Sequence, residues 1–210
     1  MACLSKYLFY YRLLIRKLIK EGIKVPHKSR IDYVKSQKII HWVMALLIML
    51  DLFVAQKFGR EMELWDRLES RIDHASVGLL VTFLFILHLI LRYRYGAPTL
   101  PVLMPRWQVV LAKLGHSALY ALMGLLMLSG ILSAIFASHP IQVYGLYGLA
   151  FANHNAEFFN TIRGFHEFFT NALIAIIFIH IAAAIYHHFV VKDETMINMT
   201  KFWITKRTPK

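Results

Sequence analysis

The 210-residue sequence contains a single cysteine, Cys3, and half as many acidic as basic residues. One cysteine excludes an internal disulfide, a cluster of thiolate ligands and a covalent CxxCH attachment site. Any metal must therefore be bound by histidine or carboxylate. The sequence also lacks an activated nucleophile, an oxyanion site and a phosphate-binding loop, which argues against catalysis by side chains.

The scarcity of acidic residues leaves a net charge of +12, from 24 Lys and Arg against 12 Asp and Glu. The basic residues flank long apolar runs instead of lining a soluble face, so no nucleic-acid partner is expected. Hydrophobic residues make up 58% of the chain, and the mean hydropathy is +0.50. These features indicate an integral membrane protein in contact with lipid, whose basic residues are topology and headgroup signals.

Four apolar segments are long enough to span a membrane, and they lie at 39–55, 74–91, 114–138 and 164–192. His41 and Asp51 are the only interruptions of the first segment. Apolar residues in the connector 56–73 suggest a short helix resting on the membrane surface, and the proline-rich segment 96–105 should break the second helix. The sequence therefore predicts an all-α fold, an integral membrane four-helix bundle.

Charge and periodicity divide the chain into three parts. Residues 1–38 are a basic, amphipathic extension expected on the membrane surface, residues 39–192 form the four-span domain, and residues 193–210 are a basic tail. Nineteen of the 24 Lys and Arg lie in the arm, in 92–113 or from residue 192 onward. The positive-inside rule makes this side cytoplasmic. We expect a multi-pass protein with both termini in the cytoplasm.

The last span carries two histidines, His166 and His180, fourteen residues apart. Fourteen helical residues return the second ring near the face of the first, about 21 Å along the axis. An imidazole without a partner is costly in hydrocarbon, so each ring should have a buried partner. Axial ligation of two stacked haems explains the spacing better than core histidines do. A compact zinc or di-iron centre would need its ligands at one level.

Depth in the spans sorts the other histidines. His74 and His166 each open a span that runs inward, so they form one pair near the outer face. His180 lies near the inner face, where three histidines are alternative partners: His41, His88 and His116. Because His74 and His88 repeat the fourteen-residue spacing, two helices alone could hold both haems.

Short motifs carry a resemblance to a known family. They are HW at His41, HASVG at His74, GHSALY at His116, PIQVYGL at Pro140, HE at His166 and HIAAAIYHHFVVKDETMINM from His180. Over residues 34–201 the sequence resembles the bacterial cytochrome b561 group, four-helix dihaem proteins of the inner membrane. The resemblance implies outer ligands His74 and His166 and inner ligands His41 and His180.

The resemblance also suggests roles for four other histidines. The family usually has arginine where His88 stands, so His88 is expected to hydrogen-bond a haem propionate or to face a neighbouring helix. The motif at His116 resembles a position near a propionate or a quinone. His187 and His188 are either neighbours of a quinone or interfacial polar residues that end the last span.

The function implied by the resemblance is electron transfer between a donor and a membrane quinone, ubiquinone or another, through two haem b groups. Superoxide on the periplasmic side is one candidate donor, although the outer connector 57–73 carries four basic and five acidic residues and offers little steering of an anion. This would be a quinone-linked electron-transfer oxidoreductase. The alternatives are an electron-transfer subunit docked to a partner redox protein, a dehydrogenase or hydrogenase, and a haem-free anchor. The sequence carries no signal of oligomeric state.

Overall fold

The computed structural model describes residues 32–55, 63–101, 104–137, 143–144 and 155–202. The predicted amphipathic extension lies outside these residues except for 32–38. Residues 138–142 and 145–154, between the third and fourth helices, and the end of the tail also lie outside them.

Four long helices make up most of the described chain and confirm the predicted all-α architecture. They are α1, Lys35–Ala55; α2, Leu64–Tyr95; α3, Arg106–Ile135; and α4, Ala156–Tyr186. A π-helical turn, His187–Val191, continues α4, and a short helix α5, Ile197–Thr200, follows. Each long helix is apolar enough over a sufficient length to cross a membrane, which confirms the four predicted spans.

The first turns of α2 correct the sequence prediction. The sequence predicts a separate surface helix before a span starting at His74, but the helix is continuous from Leu64. No glycine or proline separates residues 64 and 74, so nothing in this stretch ends a helix. At its other end α2 stops as predicted, at Gly96. The φ of this residue is 71°, and its N–H donates to the Arg92 carbonyl.

The helices α3 and α4 also begin earlier than predicted. Pro105 directly precedes α3, which starts about two turns before the expected residue 114 because residues 106–113 contain no helix breaker. In α4 the cap is Asn155, whose side chain accepts a hydrogen bond of 3.0 Å from the N–H of Phe158. Residues 156–163, which precede the predicted start of the fourth span at residue 164, therefore belong to the last helix.

The four helices pack as two pairs, α1 with α2 and α3 with α4, and contacts between the two pairs are fewer. The buried apolar core is small: Met44, Val81, Phe85, Met123 and Leu173. Large apolar side chains on all four helices face outward, as expected where the surrounding solvent is lipid. The boundary between the two pairs is where the histidines meet.

The segment after α4 folds back onto the start of α1. Lys38 is almost fully buried and pairs with Asp32 at 2.8 Å, and its ammonium also donates to the carbonyl of Lys201. The indole N–H of Trp42 donates to the carbonyl of Met199 at 3.0 Å. These contacts fix the C-terminal segment at the end of the bundle where α1 begins.

Candidate functional site

Six histidines of the four spans meet at two levels of the bundle. One level holds His74 and His166, which we call the histidine pair. The other level holds the four-histidine cluster: His41, His88, His116 and His180. Since fourteen residues separate the two levels along both α2 and α4, they are about 21 Å apart along the helix axes.

The histidine pair has both of its Nδ1 atoms engaged. His74 Nδ1 lies 2.8 Å from the Asp51 carboxylate, which accepts its proton. His166 Nδ1 lies 3.0 Å from the hydroxyl of Ser129. That hydroxyl donates to the Leu126 carbonyl at 3.0 Å, so it accepts the N–H of His166. In each ring this leaves Nε2 without a proton and able to bind a metal.

The separation of this pair would allow both imidazoles to hold one iron. With metal–nitrogen bonds of about 2 Å, two imidazoles that share a metal have ring centres at most about 6 Å apart. The ring centroids of His74 and His166 are 6.1 Å apart. The His166 ring also lies against the backbone of α3, since an ideal Cβ on Gly130 would lie 3.2 Å from its Cε1. The donor chemistry and spacing both suit a bis-histidine haem site.

Three ring contacts connect the four-histidine cluster. The centroid distances are 6.5 Å for His41–His180, 6.3 Å for His41–His88 and 5.5 Å for His116–His180. Distance alone therefore does not separate the first two combinations.

The packing of the helices distinguishes the His41–His180 contact from the His41–His88 contact. His41 and His88 lie on α1 and α2, which pack directly together, and His116 and His180 lie on the packed helices α3 and α4. Directly packed helices have axes about 8–10 Å apart, which leaves no room for a macrocycle between them. Of the three contacts, His41–His180 alone joins one helix pair to the other. The histidine pair joins the two helix pairs in the same way, through α2 and α4.

The other two cluster histidines differ in their surroundings. His88 is 7% exposed and lies 6.0 Å from the ring of Tyr120. Within the described residues its buried Nδ1 has no hydrogen-bond partner, so it could donate to a polar group of a cofactor. His116 is exposed and its Nδ1 donates to the Ala112 carbonyl at 2.7 Å.

At the end of the fourth span, His187 contacts a carboxylate. Its Nδ1 lies 2.6 Å from Asp193, which also accepts the backbone N–H of Thr195 at 2.9 Å. Partial burial raises the pKa of Asp193, but the hydrogen bonds from Thr195 and His187 outweigh burial and leave this pKa below its ordinary value. The Nδ1 of the neighbouring His188 is buried and has no hydrogen-bond partner in the described part of the chain.

In the described residues, no three or more His, Cys, Asp or Glu are grouped closely enough to hold one metal ion. Three polar neighbours of the histidines were not assigned from the sequence: Asp51, Ser129 and Tyr120. Asp51 carried a signal, because it is the one acidic residue of the first predicted span. Nothing in the pattern of α3 singled out Ser129.

Comparison with known proteins places this arrangement in a family. A family model described as prokaryotic cytochrome b561 matches residues 32–202. The chain is 30% identical over 172 residues to cytochrome b561 homolog 1 of Escherichia coli strain K12, covering 79% of this chain and 94% of that protein. It is 26% identical over 163 residues to the probable superoxide oxidase CybB of Yersinia pestis, covering 76% and 90% respectively.

A further relative is cytochrome b561 homolog 2 of Escherichia coli strain K12, which is 29% identical over 131 residues and is covered over 68% of its length. The family match, the four membrane-spanning helices and the paired histidines agree. The chain belongs to the prokaryotic cytochrome b561 family of haem b membrane electron-transfer proteins.

Proposed function

We propose that this protein is a dihaem cytochrome that moves electrons across the membrane between a donor on one side and a quinone. The proposal is supported mainly by two contacts between histidine rings at two levels of one bundle, His74–His166 and His41–His180. Both pairs join the same two helix pairs, and their centroid distances are 6.1 and 6.5 Å.

The side chains hold and orient the cofactors, and haem b supplies the one-electron chemistry when bound. His74 and His166 keep an unprotonated Nε2 available to bind iron, because their Nδ1–H groups donate hydrogen bonds to Asp51 and Ser129. At the other level, His41 and His180 are the proposed ligands. The buried Nδ1 of His88 supports its role as a hydrogen-bond donor to a haem propionate.

The proposed orientation places both termini in the cytoplasm of a bacterial inner membrane. It rests on the nineteen of 24 basic residues found in the arm, in 92–113 and after residue 191. The four-histidine cluster then lies toward the cytoplasm and the histidine pair toward the periplasm. His187 and His188, at the cytoplasmic end of the fourth span, are the proposed quinone neighbours, and His116 is exposed at the same end of the bundle.

Superoxide is the donor we propose to test first, because a relative is a probable superoxide oxidase. The test uses the purified full chain in vesicles that contain ubiquinone, with a superoxide source outside. Protein molecules whose histidine pair faces the outside of the vesicle should use superoxide to reduce quinone. The variant His74→Ala should not do so. If the wild-type chain holds two haems but superoxide leaves quinone oxidised, superoxide is not the donor. Quinol-dependent reduction of the haems then tests the quinone half of the proposal, and its absence would contradict it.

A further inference from the structure

Asp51 is the one acidic side chain of α1, a helix whose residues 39–55 are otherwise free of charged groups. Its side chain is 15% exposed and lies 2.8 Å from Nδ1 of His74. A carboxylate at this depth is costly in a membrane unless it has a partner. The contact with His74 offsets that cost, so the carboxylate is tied to one proposed haem ligand.

The two proposed ligands at this level are held differently. His74 donates to a carboxylate, whereas His166 donates to the neutral hydroxyl of Ser129, which is itself tied to a backbone carbonyl. At the other level, no carboxylate among the described residues hydrogen-bonds to His41 or His180. Of the four proposed ligands, His74 is therefore the one with a charged partner in the described chain.

A carboxylate that accepts the Nδ1 proton makes the imidazole a more basic ligand. Its negative charge would also lie close to an iron bound by His74, in surroundings of low dielectric constant where charges interact strongly. Both effects stabilise ferric over ferrous iron and so lower the reduction potential. A neutral hydroxyl acceptor such as Ser129 has the first effect weakly and lacks the second.

We infer that Asp51 is a positioning residue that acts through His74. It holds that ring and lowers the reduction potential of the haem at the histidine pair relative to the haem at His41 and His180. This inference rests on the proposed dihaem function. Its consequence is directional, because an electron that enters at the histidine pair moves toward the higher potential at the four-histidine cluster.

The test is a potentiometric titration of the purified full chain and of Asp51→Asn, which keeps an acceptor oxygen but removes the charge. The equilibrium constant for reduction of one of the two haems should rise about tenfold, which corresponds to an increase of about 59 mV in its reduction potential. The other component should not move. The same component should show an altered low-spin electron paramagnetic resonance signal. Unchanged potentials in a variant with full haem content would overturn the inference.

Two matched variants separate charge from packing. Asp51→Glu keeps the carboxylate and should retain haem at both levels with a potential near that of the wild type. Asp193→Asn removes a carboxylate that hydrogen-bonds to a different histidine, His187, after the end of α4, and should leave the reduction potential of the Asp51-sensitive haem unchanged.

Loss of haem from a variant also discriminates between the two roles of the side chain. If Asp51→Asn loses one haem and Asp51→Glu keeps it, the carboxylate is needed to hold His74, as inferred. If both variants lose that haem equally, side-chain packing at this position is what matters and the inference fails. Failure of the dihaem proposal would be visible earlier, as fewer than two haems in the wild-type chain.

Discussion

Replacing Gly130 by alanine would place a methyl group against the ring of His166. An ideal Cβ at this position lies 3.2 Å from Cε1 and 3.6 Å from Nδ1 of that ring, whereas optimal carbon–carbon contacts are about 3.5–4.0 Å. The ring would have to move by a few tenths of an ångström. Its hydrogen bond of 3.0 Å to Ser129 restricts that movement, so the variant should strain the ligand rather than relax.

The matched control is Gly164→Ala, on the same helix as His166 and with no atom within 4 Å of the added Cβ. Both substitutions gain about 0.8–1.0 kcal/mol in helix propensity. Gly130→Ala alone has the overpacking cost, which is about 1–3 kcal/mol in a packed site. The difference between the two variants therefore isolates the contact, and it corresponds to roughly a 5- to 150-fold change in an equilibrium constant.

The assay compares haem retention during thermal unfolding in detergent, together with the absorption spectrum of the haem at the histidine pair. Gly130→Ala should lose that haem more readily than Gly164→Ala, while the second haem stays bound equally in both. Equal retention and identical spectra would show that α3 does not approach the His166 ring as described.

Two further predictions concern the C-terminal segment. Trp42→Phe removes the hydrogen bond to the Met199 carbonyl, so protection of residues 197–200 in hydrogen exchange should fall by the equivalent of about 1 kcal/mol; unchanged exchange would show that this bond does not hold the segment. Burial opposes ionisation of Asp193, but hydrogen bonds from Thr195 and His187 keep its pKa below 3.8. Its stabilising effect is therefore complete above pH 3.8 and is lost as the pH falls through the lowered pKa. We therefore expect hydrogen-exchange protection of residues 193–196 to fall in acid in the wild type but not in Asp193→Asn. A fall of the same size in Asp193→Asn would assign the effect to another group.

The spans were predictable from the sequence because long uncharged runs have few other uses than crossing a membrane. Their ends were less predictable. The apolar residues of the connector 56–73 suggested a separate surface helix. Helix continuity depends on breakers and caps, however, and residues 64–73 contain no glycine or proline. The side chain of Asn155 caps the start of α4. Hydropathy does not detect this cap, because the residues that follow it are less apolar than the span.

The histidine levels were also predictable, because fourteen-residue spacing fixes depth on a helix. The partner of His180 was not fixed by depth, since His41, His88 and His116 share one level. That choice depends on which helices pack directly, a tertiary property that the one-dimensional pattern does not contain. Asp51 was visible in the sequence as a lone charge, but its contact with His74 required the packing of α1 against α2.

The proposed dihaem arrangement requires that His41 and His180 hold one haem across the two helix pairs and that His88 does not hold it. The decisive measurement is the haem content per chain of His41→Ala, His180→Ala and His88→Ala, each purified like the wild type. We expect two haems in the wild type and in His88→Ala, and loss of one haem in each of the other two variants. Loss of a haem in His88→Ala together with full content in His41→Ala would contradict the proposal.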